Sequence, residues 1–260
     1  TMKENTDKLP LIGMGLKELQ DVAFRGGMPR FVGRQLAEWI YSKGATDFGE
    51  MVNISKKNKE WLEANYVIGR ENAVSSVKSA DGTVKYLFSV GHGNAVESVY
   101  IPDHDRATLC VSSQAGCKMN CYFCATGKLG FKANLTAAQI INQILSIPPA
   151  PKPGQSPMNP LTNVVFMGMG EPLDNLTEVL KVIEILTSPW GLAWSPKRIT
   201  VSTVGKLPQL KELLDKTRVH LAVSVHTADV AQRESMMPAQ KAFPISAVMR
   251  VLSGYDFSGQ

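Results

Sequence analysis

Residues Cys117–Cys124 read CKMNCYFC and hold three of the four cysteines in a chain of 260 residues. Their spacing is C-x3-C-x2-C, and an aromatic residue, Phe123, directly precedes the last cysteine. The remaining cysteine, Cys110, lies upstream in an apolar stretch that we predict to be a strand. Clustered cysteines in a reducing compartment bind metal more often than they form disulfides, so the motif predicts a metal centre.

The composition is that of a globular protein, with 44% hydrophobic residues and a net charge of +5. No apolar run approaches the length of about 18 residues that a membrane span requires, and the N-terminal residues do not resemble a signal peptide. We therefore expect a cytoplasmic protein with no membrane partner.

The stretch from Arg106 to Gly170 contains no Asp or Glu. This favours an anionic partner such as RNA, although a Pro-rich loop and a buried helix would also contain few charges.

The periodicity of apolar residues changes twice along the chain. Residues 14–67 show helical spacing, with a helix cap at Asn53 or Ser55, and residues 72–113 alternate with period two around an Asp81-Gly82 hairpin turn. From about residue 107, strands alternate with helices, which predicts an α/β fold with a parallel sheet, either open or closed into a barrel. The expected domains are residues 1–70, a helical accessory domain, residues 71–106, a β-hairpin connector, and residues 107–260, the core.

Two local signals refine the predicted core. Thr136 and Gln139 form a capping box at the start of a helix. The loop Pro148–Pro160, rich in Pro, Gly and Ser, is expected to be disordered.

Ligands of parallel α/β folds bind at the carboxyl ends of the strands. Polar residues follow the predicted strands at four such places, which are Cys117–Cys124, Gly168–Pro172, Ser202-Thr203 and Ser224–Thr227. Taken singly, the glycines could form an ordinary turn and His226 could be a hydrogen-bonded rim residue. Glu97, within a predicted strand, is by itself most simply a solvent-facing residue. The shared position of the four segments beside the cysteines favours one site.

The number of clustered cysteines restricts what they bind. Structural zinc takes four ligands, a disulfide would leave an odd thiol, and ferredoxin clusters use four cysteines. Three cysteines suit a 4Fe–4S cluster in which one iron stays open for a substrate or cofactor.

The sequence resembles the RlmN/Cfr family of radical S-adenosylmethionine (SAM) RNA methyltransferases. The resemblance rests on the cysteine motif and on segments on either side of it, namely Ser112–Cys117, Cys124–Phe131, Gly168–Pro172 and Ser202–Gly205. It implies a partial (β/α) radical SAM barrel carrying a small N-terminal helical domain and a β-hairpin extension. It also implies methylation of carbon 2 of an adenine in 23S rRNA and tRNA, as in the RlmN branch, or of carbon 8, as in the Cfr branch.

The resemblance assigns roles to individual residues. Cys117, Cys121 and Cys124 would ligate a 4Fe–4S cluster whose open iron chelates SAM. Further SAM contacts would come from Gly170, Glu171, Ser202, Ser224, Val225 and His226. In the family mechanism, reductive cleavage of SAM yields a radical that activates a methyl group carried on a cysteine. Glu97 would accept a proton from the RNA adduct, and Cys110 would join a transient disulfide. A reductase or flavodoxin-type electron donor and a monomeric state are also implied.

One departure from the family pattern is evident. The methyl-carrying cysteine of the family lies towards the C-terminus, but this sequence has no cysteine after Cys124. We therefore expect a truncated chain that does not transfer methyl by itself. Two alternatives remain from the residues, an iron–sulfur or zinc RNA-binding module without catalysis, and a radical SAM enzyme with different chemistry.

Overall fold

The structure, a computed structural model, describes residues 8–147 and 161–258. Its N-terminal part is mainly helical, as the sequence predicts. The elements are β1 (Leu9–Pro10), α1 (Leu16–Arg25), α2 (Phe31–Ala37), α3 (Lys56–Asn65) and β2 (Tyr66–Val67), with a π-helical turn at Glu38–Ser42 and a 3-10 turn at Phe48–Glu50. The cap prediction is confirmed at Ser55, whose side chain accepts a hydrogen bond from the Asn58 amide. The parallel pairing of β1 with β2 was not predicted.

The N-terminal helices pack directly against the core of the protein. The ring of Tyr41 lies 6.1 Å from that of Trp190, and the Ser42 hydroxyl donates to the Gly191 carbonyl at 2.7 Å. Lys181 and Glu18 form an ion pair of 2.6 Å across the same junction. The two parts therefore share one hydrophobic core, in which helix residues and strand residues are buried together.

A seven-stranded sheet forms the centre of the protein. Its strands are β3 (Ser75–Lys78), β4 (Val84–Ser89), β5 (Ala95–Asp103), β6 (Arg106–Cys110), β9 (Asn163–Phe166), β10 (Ile199–Thr203) and β11 (His220–Val223). A separate ribbon consists of β7 (Gln114–Ala115) and β8 (Ala133–Asn134). The order in the sheet is β11-β10-β9-β6-β5-β4-β3; the first four are parallel and the last three join them antiparallel. The predicted α/β architecture and the hairpin at Asp81-Gly82 are confirmed.

Seven further α-helices and two 3-10 turns, Pro172–Asn175 and Pro196–Arg198, complete the described residues. The helices are α4 (Ala125–Lys128), α5 (Ala137–Leu145), α6 (Leu176–Thr187), α7 (Leu207–Lys216), α8 (Val230–Met236), α9 (Ala239–Ala242) and α10 (Ile245–Leu252). The capping box of α5 is confirmed, since Thr136 and Gln139 exchange side-chain hydrogen bonds with each other's amides. The predicted loop Pro148–Pro160 lies outside the described residues. Within the described ranges, no helix has the length and apolar character needed to cross a bilayer.

The two faces of the parallel strands differ in burial. Leu109, Val164 and Val201 are fully buried in the core that α5, α6 and α7 complete. The alternate residues, such as Cys110 and Ser202, are only partly buried. Successive residues of a strand point to opposite faces, so one face of the sheet is covered by helices and the other is accessible, as the inner face of an incomplete barrel would be.

Candidate metal centre

The cysteine loop emerges from the end of β6 and is closed at its base by the β7–β8 ribbon. Gln114 pairs with Asn134 through the backbone, and their side chains are hydrogen-bonded at 2.8 Å. Gly116 has a φ of +73°, and a Cβ there would lie 1.8 Å from the Gly130 carbonyl oxygen. The two ends of the loop therefore approach each other more closely than a side chain at this position would allow.

All four cysteines are free, and Cys117 and Cys121 are buried while Cys124 is partly exposed. Burial raises the pKa of Cys117 to about 11, and the neighbouring thiols of Cys124 and Cys121 contribute to this increase. Burial raises the pKa of Cys121 as well, again with a contribution from Cys124. The sulfurs of Cys117 and Cys121 therefore disfavour the thiolate form until a cationic group binds beside them.

The chemistry of the three thiols suits an iron–sulfur cluster. Among residues 8–147 and 161–258, no three His, Cys, Asp or Glu side chains are arranged to hold one metal ion. A zinc ion needs its ligands at about 2.0–2.3 Å from one point. The cysteines of an iron–sulfur cluster bind different irons and need not converge. The donor set of three neighbouring thiols therefore fits a 4Fe–4S cluster.

The turn that follows β9 packs against the base of the cysteine loop. The amide of Glu171 donates to the side-chain oxygen of Gln114 at 2.9 Å, and the amide of Ser113 donates to the Met169 carbonyl at 3.0 Å. Gly170 has a φ of +100°, and a Cβ there would lie 2.5 Å from the Gln114 Cβ. Glycine is therefore required by both the conformation and the close approach.

The carboxylate of Glu171 is buried and joins two strand ends. One oxygen accepts the amide of Leu173 at 3.1 Å, and the other accepts the amide of Val204, just after β10, at 2.9 Å. Burial raises the pKa of Glu171. The Thr203 hydroxyl adds a third hydrogen bond, so about one of the roughly four acceptor positions of the carboxylate remains for a cationic ligand.

The remaining rim residues lie at the ends of β10 and β11. Ser202 is partly buried and lies beside Ala222 in the parallel pairing, while the Ser224 amide donates to the Thr203 carbonyl at 2.9 Å. Val225 and His226 are exposed. The ring of His226 contacts that of Phe123, with centroids 4.4 Å apart. The structure therefore brings the segment after β11 to the cysteine loop.

Glu97 and Cys110 lie on the accessible face of the sheet. Cys110 is directly opposite Val99, which is two residues from Glu97, so the two side chains point to the same side. The Glu97 carboxylate is 2.9 Å from the Lys85 ammonium, and both side chains are about half exposed. Burial raises the pKa of the Cys110 thiol.

Three polar residues of this region were not predicted as parts of the site. The side-chain amide of Asn175 donates to the Ser113 and Leu135 carbonyls, at 2.9 and 2.7 Å. Gln143 accepts from the Ser112 amide and returns a bond to its carbonyl, each at 2.9 Å. Arg233 is completely buried near Cys121. A buried polar residue has no local sequence signature, although a polar residue within an apolar helix stretch, as at Gln143, is a partial one.

Comparisons with known proteins agree with this geometry. Residues 9–68 match the ribosomal RNA large subunit methyltransferase N-terminal domain, and residues 111–253 match the radical SAM superfamily. A probable dual-specificity RNA methyltransferase RlmN from Bacteroides thetaiotaomicron is 56% identical over 97% of this chain and 71% of its own length. One from Porphyromonas gingivalis is 55% identical over 100% of this chain and 72% of its own length.

A solved structure has the same fold. The crystal structure of a radical SAM methyltransferase from Sphaerobacter thermophilus superimposes with a TM-score of 0.84 and 34% identity, over 93% of this chain and 71% of that one. The radical SAM fold expected from the sequence is thereby confirmed. The cysteine loop at the end of the first parallel strand, with the rim beside it, agrees with these similarities. The chain therefore belongs to the RlmN family of radical SAM RNA methyltransferases.

Proposed function

We propose that this chain is part of the catalytic machinery that methylates carbon 2 of an adenine in 23S rRNA and in tRNA, with SAM and a 4Fe–4S cluster. The observation that carries the proposal is the position of three neighbouring thiols at the carboxyl end of β6, beside the rim residues after β9, β10 and β11. The names of its relatives, dual-specificity RNA methyltransferases RlmN, support RNA as the substrate.

Cys117, Cys121 and Cys124 are the proposed cluster ligands. When bound, the cluster supplies the electron and the open coordination position for reductive cleavage of SAM. The β7–β8 ribbon at the base of the loop holds the ligands in place. The burial of Cys117 and Cys121 keeps water away from their sulfurs. Water exclusion strengthens the electrostatic interactions within such a site.

The proposed SAM contacts are residues of the rim. Gly170 has no side chain, so the backbone of its turn can approach a ligand closely. The free acceptor capacity of Glu171 suits an ammonium group, and the hydroxyls of Ser202 and Ser224 suit further polar groups of SAM. Val225 and His226 would complete the contact beside Phe123, where the aromatic pair covers part of the site.

The accessible sheet face is the proposed location of the target adenine. Glu97 would accept a proton from the RNA adduct, and the Lys85 ammonium, 2.9 Å away, contacts its carboxylate. Cys110 would pair with the methyl-carrying cysteine as the product is released, as the family mechanism implies. All four cysteines of the sequence are then assigned, and the methyl-carrying cysteine is not one of them.

Other parts of the proposal rest on the sequence and the family. The N-terminal helices, residues 1–70, would act as an accessory domain, residues 71–106 as a connector and residues 107–260 as the radical SAM core. We also propose a flavodoxin-type or reductase electron donor, a monomeric state and a cytoplasmic location.

Anaerobic reconstitution tests the metal centre and the cleavage of SAM. The expected result is a brown protein with about four irons per chain whose reduced form cleaves SAM. Serine at position 117, 121 or 124 should abolish iron binding, whereas the matched change Cys110→Ser should retain it. A colourless protein holding one zinc would refute the proposal.

RNA analysis tests the methylation itself. Deletion of the gene in its own organism should remove 2-methyladenosine from 23S rRNA and tRNA, measured by mass spectrometry of digested RNA. Loss of 8-methyladenosine instead would assign the chain to the Cfr branch. Unchanged levels of both nucleosides would contradict the methyltransferase proposal.

A further inference from the structure

Arg233, in α8, is a completely buried cation that joins three segments of the rim. Its guanidinium donates to the carbonyls of Ser224 at 2.9 Å, Val225 at 3.2 Å and Val204 at 3.3 Å, and to the side-chain oxygen of Gln240. Val204 follows β10, Ser224 and Val225 follow β11, and Gln240 is in α9. One side chain thus holds the ends of two neighbouring strands together.

The acceptors of Arg233 are all neutral. None of the ion pairs among the described residues includes it. Burying a cation is costly unless hydrogen bonds and an opposite charge compensate for its lost hydration. Cys121 packs against Val204, whose carbonyl accepts from Arg233, so the buried cation lies close to the second cysteine of the loop.

The helices around Arg233 also support the cysteine loop. Cys121 packs in a small buried cluster with Val204, Met237 and Ala239. The amide of Tyr122 donates to the Met236 carbonyl at 2.9 Å. The segment containing α8 and α9 therefore lies directly against the second cysteine of the loop.

We propose that Arg233 is a positioning residue for the cluster and for SAM. Its guanidinium ties the strand-end carbonyls of residues 204, 224 and 225 together. It also presents a buried positive charge to the Cys121 sulfur. This inference rests on the proposed function, in which Cys121 ligates the cluster and Ser224–His226 contacts SAM. The two roles can be separated, because the hydrogen bonds need the planar guanidinium whereas the charge needs only a cation.

The charge has a definite effect on electron transfer. Reduction adds a negative charge to a cluster, and a nearby buried cation stabilises that state. Loss of the positive charge should make the reduction potential more negative. Lysine in place of Arg233 should preserve most of the potential, but a single ammonium group cannot bridge carbonyls of three segments.

The test compares Arg233→Met and Arg233→Lys with Arg198→Met. Arg198 is a matched control, since its guanidinium also bonds backbone carbonyls, at Leu161 and Thr162, and stacks on Trp194, but at the opposite end of the parallel strands. In metal-free protein, amide hydrogen exchange of residues 224–227 should accelerate about tenfold in both Arg233 variants, the equivalent of about one net hydrogen bond. Arg198→Met should leave that exchange unchanged.

The second measurement is the reduction potential of the reconstituted cluster, followed by electron paramagnetic resonance. We expect a more negative potential in Arg233→Met than in wild type, Arg233→Lys and Arg198→Met. Unchanged exchange in both Arg233 variants would overturn the tie between the strand ends, and an unchanged potential in Arg233→Met would overturn the charge role. If Arg233→Met does not fold, the exchange of Arg233→Lys decides the tie between the strand ends, and the potential of a second neutral variant, Arg233→Gln, decides the charge role.

The outcomes separate this inference from the proposed function. A wild-type protein that binds the cluster and cleaves SAM, with variants that match it in exchange and potential, refutes only the role of Arg233. A wild-type protein that binds no cluster refutes the proposed function and, with it, the charge role of Arg233. The exchange measurement then still decides whether Arg233 orders the rim, because it requires no metal.

Discussion

The ring of Phe123 in the cysteine loop contacts the ring of His226 after β11, with centroids 4.4 Å apart and planes inclined by 47°. The loop follows β6, and two strands, β9 and β10, separate β6 from β11 in the sheet. Adjacent strands lie about 4.8 Å apart, so the two loops span roughly 14 Å of sheet to meet. The aromatic pair therefore connects the first and last parallel strands across the proposed SAM site.

Loss of either ring should weaken SAM binding through the same interaction. We expect Phe123→Ala and His226→Ala to be non-additive, with a coupling of about 0.5–1 kcal/mol, the usual range for an aromatic pair. The measurement is a double-mutant cycle of SAM affinity by calorimetry on reconstituted protein. The neighbouring Tyr122 is 74% exposed, so Tyr122→Ala serves as the control and should leave affinity unchanged. Fully additive effects would show that the two rings act independently.

The two glycines at the neck of the cysteine loop should differ sharply in their tolerance of alanine. Both have positive φ, +73° at Gly116 and +66° at Gly130, so both variants carry a backbone cost of about 1–2 kcal/mol. Only at Gly116 does an added Cβ meet an atom, the Gly130 carbonyl oxygen at 1.8 Å. Gly116→Ala should therefore lose iron on reconstitution and Gly130→Ala should retain most of it. Equal iron content in the two variants would contradict the close packing of the neck.

Glu171→Gln should change the dependence of stability on pH, and at a pH where Glu171 is ionised it should also remove one backbone hydrogen bond. The amide can replace only one carboxylate oxygen as an acceptor, which leaves the amide of Leu173 or Val204 unpaired at a cost of about 1–3 kcal/mol. The pKa of Glu171 is raised by burial, so the folded protein holds this proton more tightly than the unfolded chain. Its contribution to stability is therefore fully present below the ordinary value of 4.5 and is lost as the pH rises through the higher folded value.

Denaturant unfolding of the metal-free protein at several pH values checks this prediction. The decline in stability above pH 4.5 that Glu171 causes should be absent from Glu171→Gln. Glu184→Gln, on the exposed side of α6, is the control and should change stability by less than about 0.5 kcal/mol. A variant with the wild-type dependence on pH would contradict the raised pKa of Glu171 in the folded protein.

Glu97→Gln should block a late step without affecting the early ones. The amide cannot accept a proton, so SAM cleavage should continue while RNA remains attached to the protein. The measurement compares 5′-deoxyadenosine formation with the amount of protein–RNA adduct on denaturing gels, in a form of the enzyme that contains a methyl-carrying cysteine. Asp103→Asn, at the far end of the same strand and also exposed, is the matched control. Normal turnover of Glu97→Gln would show that Glu97 is an ordinary strand residue.

The sequence alone determined the features that depend on neighbouring residues. The cysteine spacing, the caps at Ser55 and Thr136 and the turn at Asp81-Gly82 involve contacts over a few positions, and the structure contains each of them. The alternation of strands and helices also follows from local periodicity.

The tertiary structure decided which of these features meet. Strand register placed Glu97 and Cys110 on one face, and packing between distant segments joined Phe123 to His226 and Glu171 to Val204. It also buried Arg233 among carbonyls of three segments, where a solvent-facing helix residue would have been the simplest expectation from sequence. The physical reason is that each of these contacts joins residues far apart along the chain, and its geometry follows only once the sheet has assembled and water has left the core.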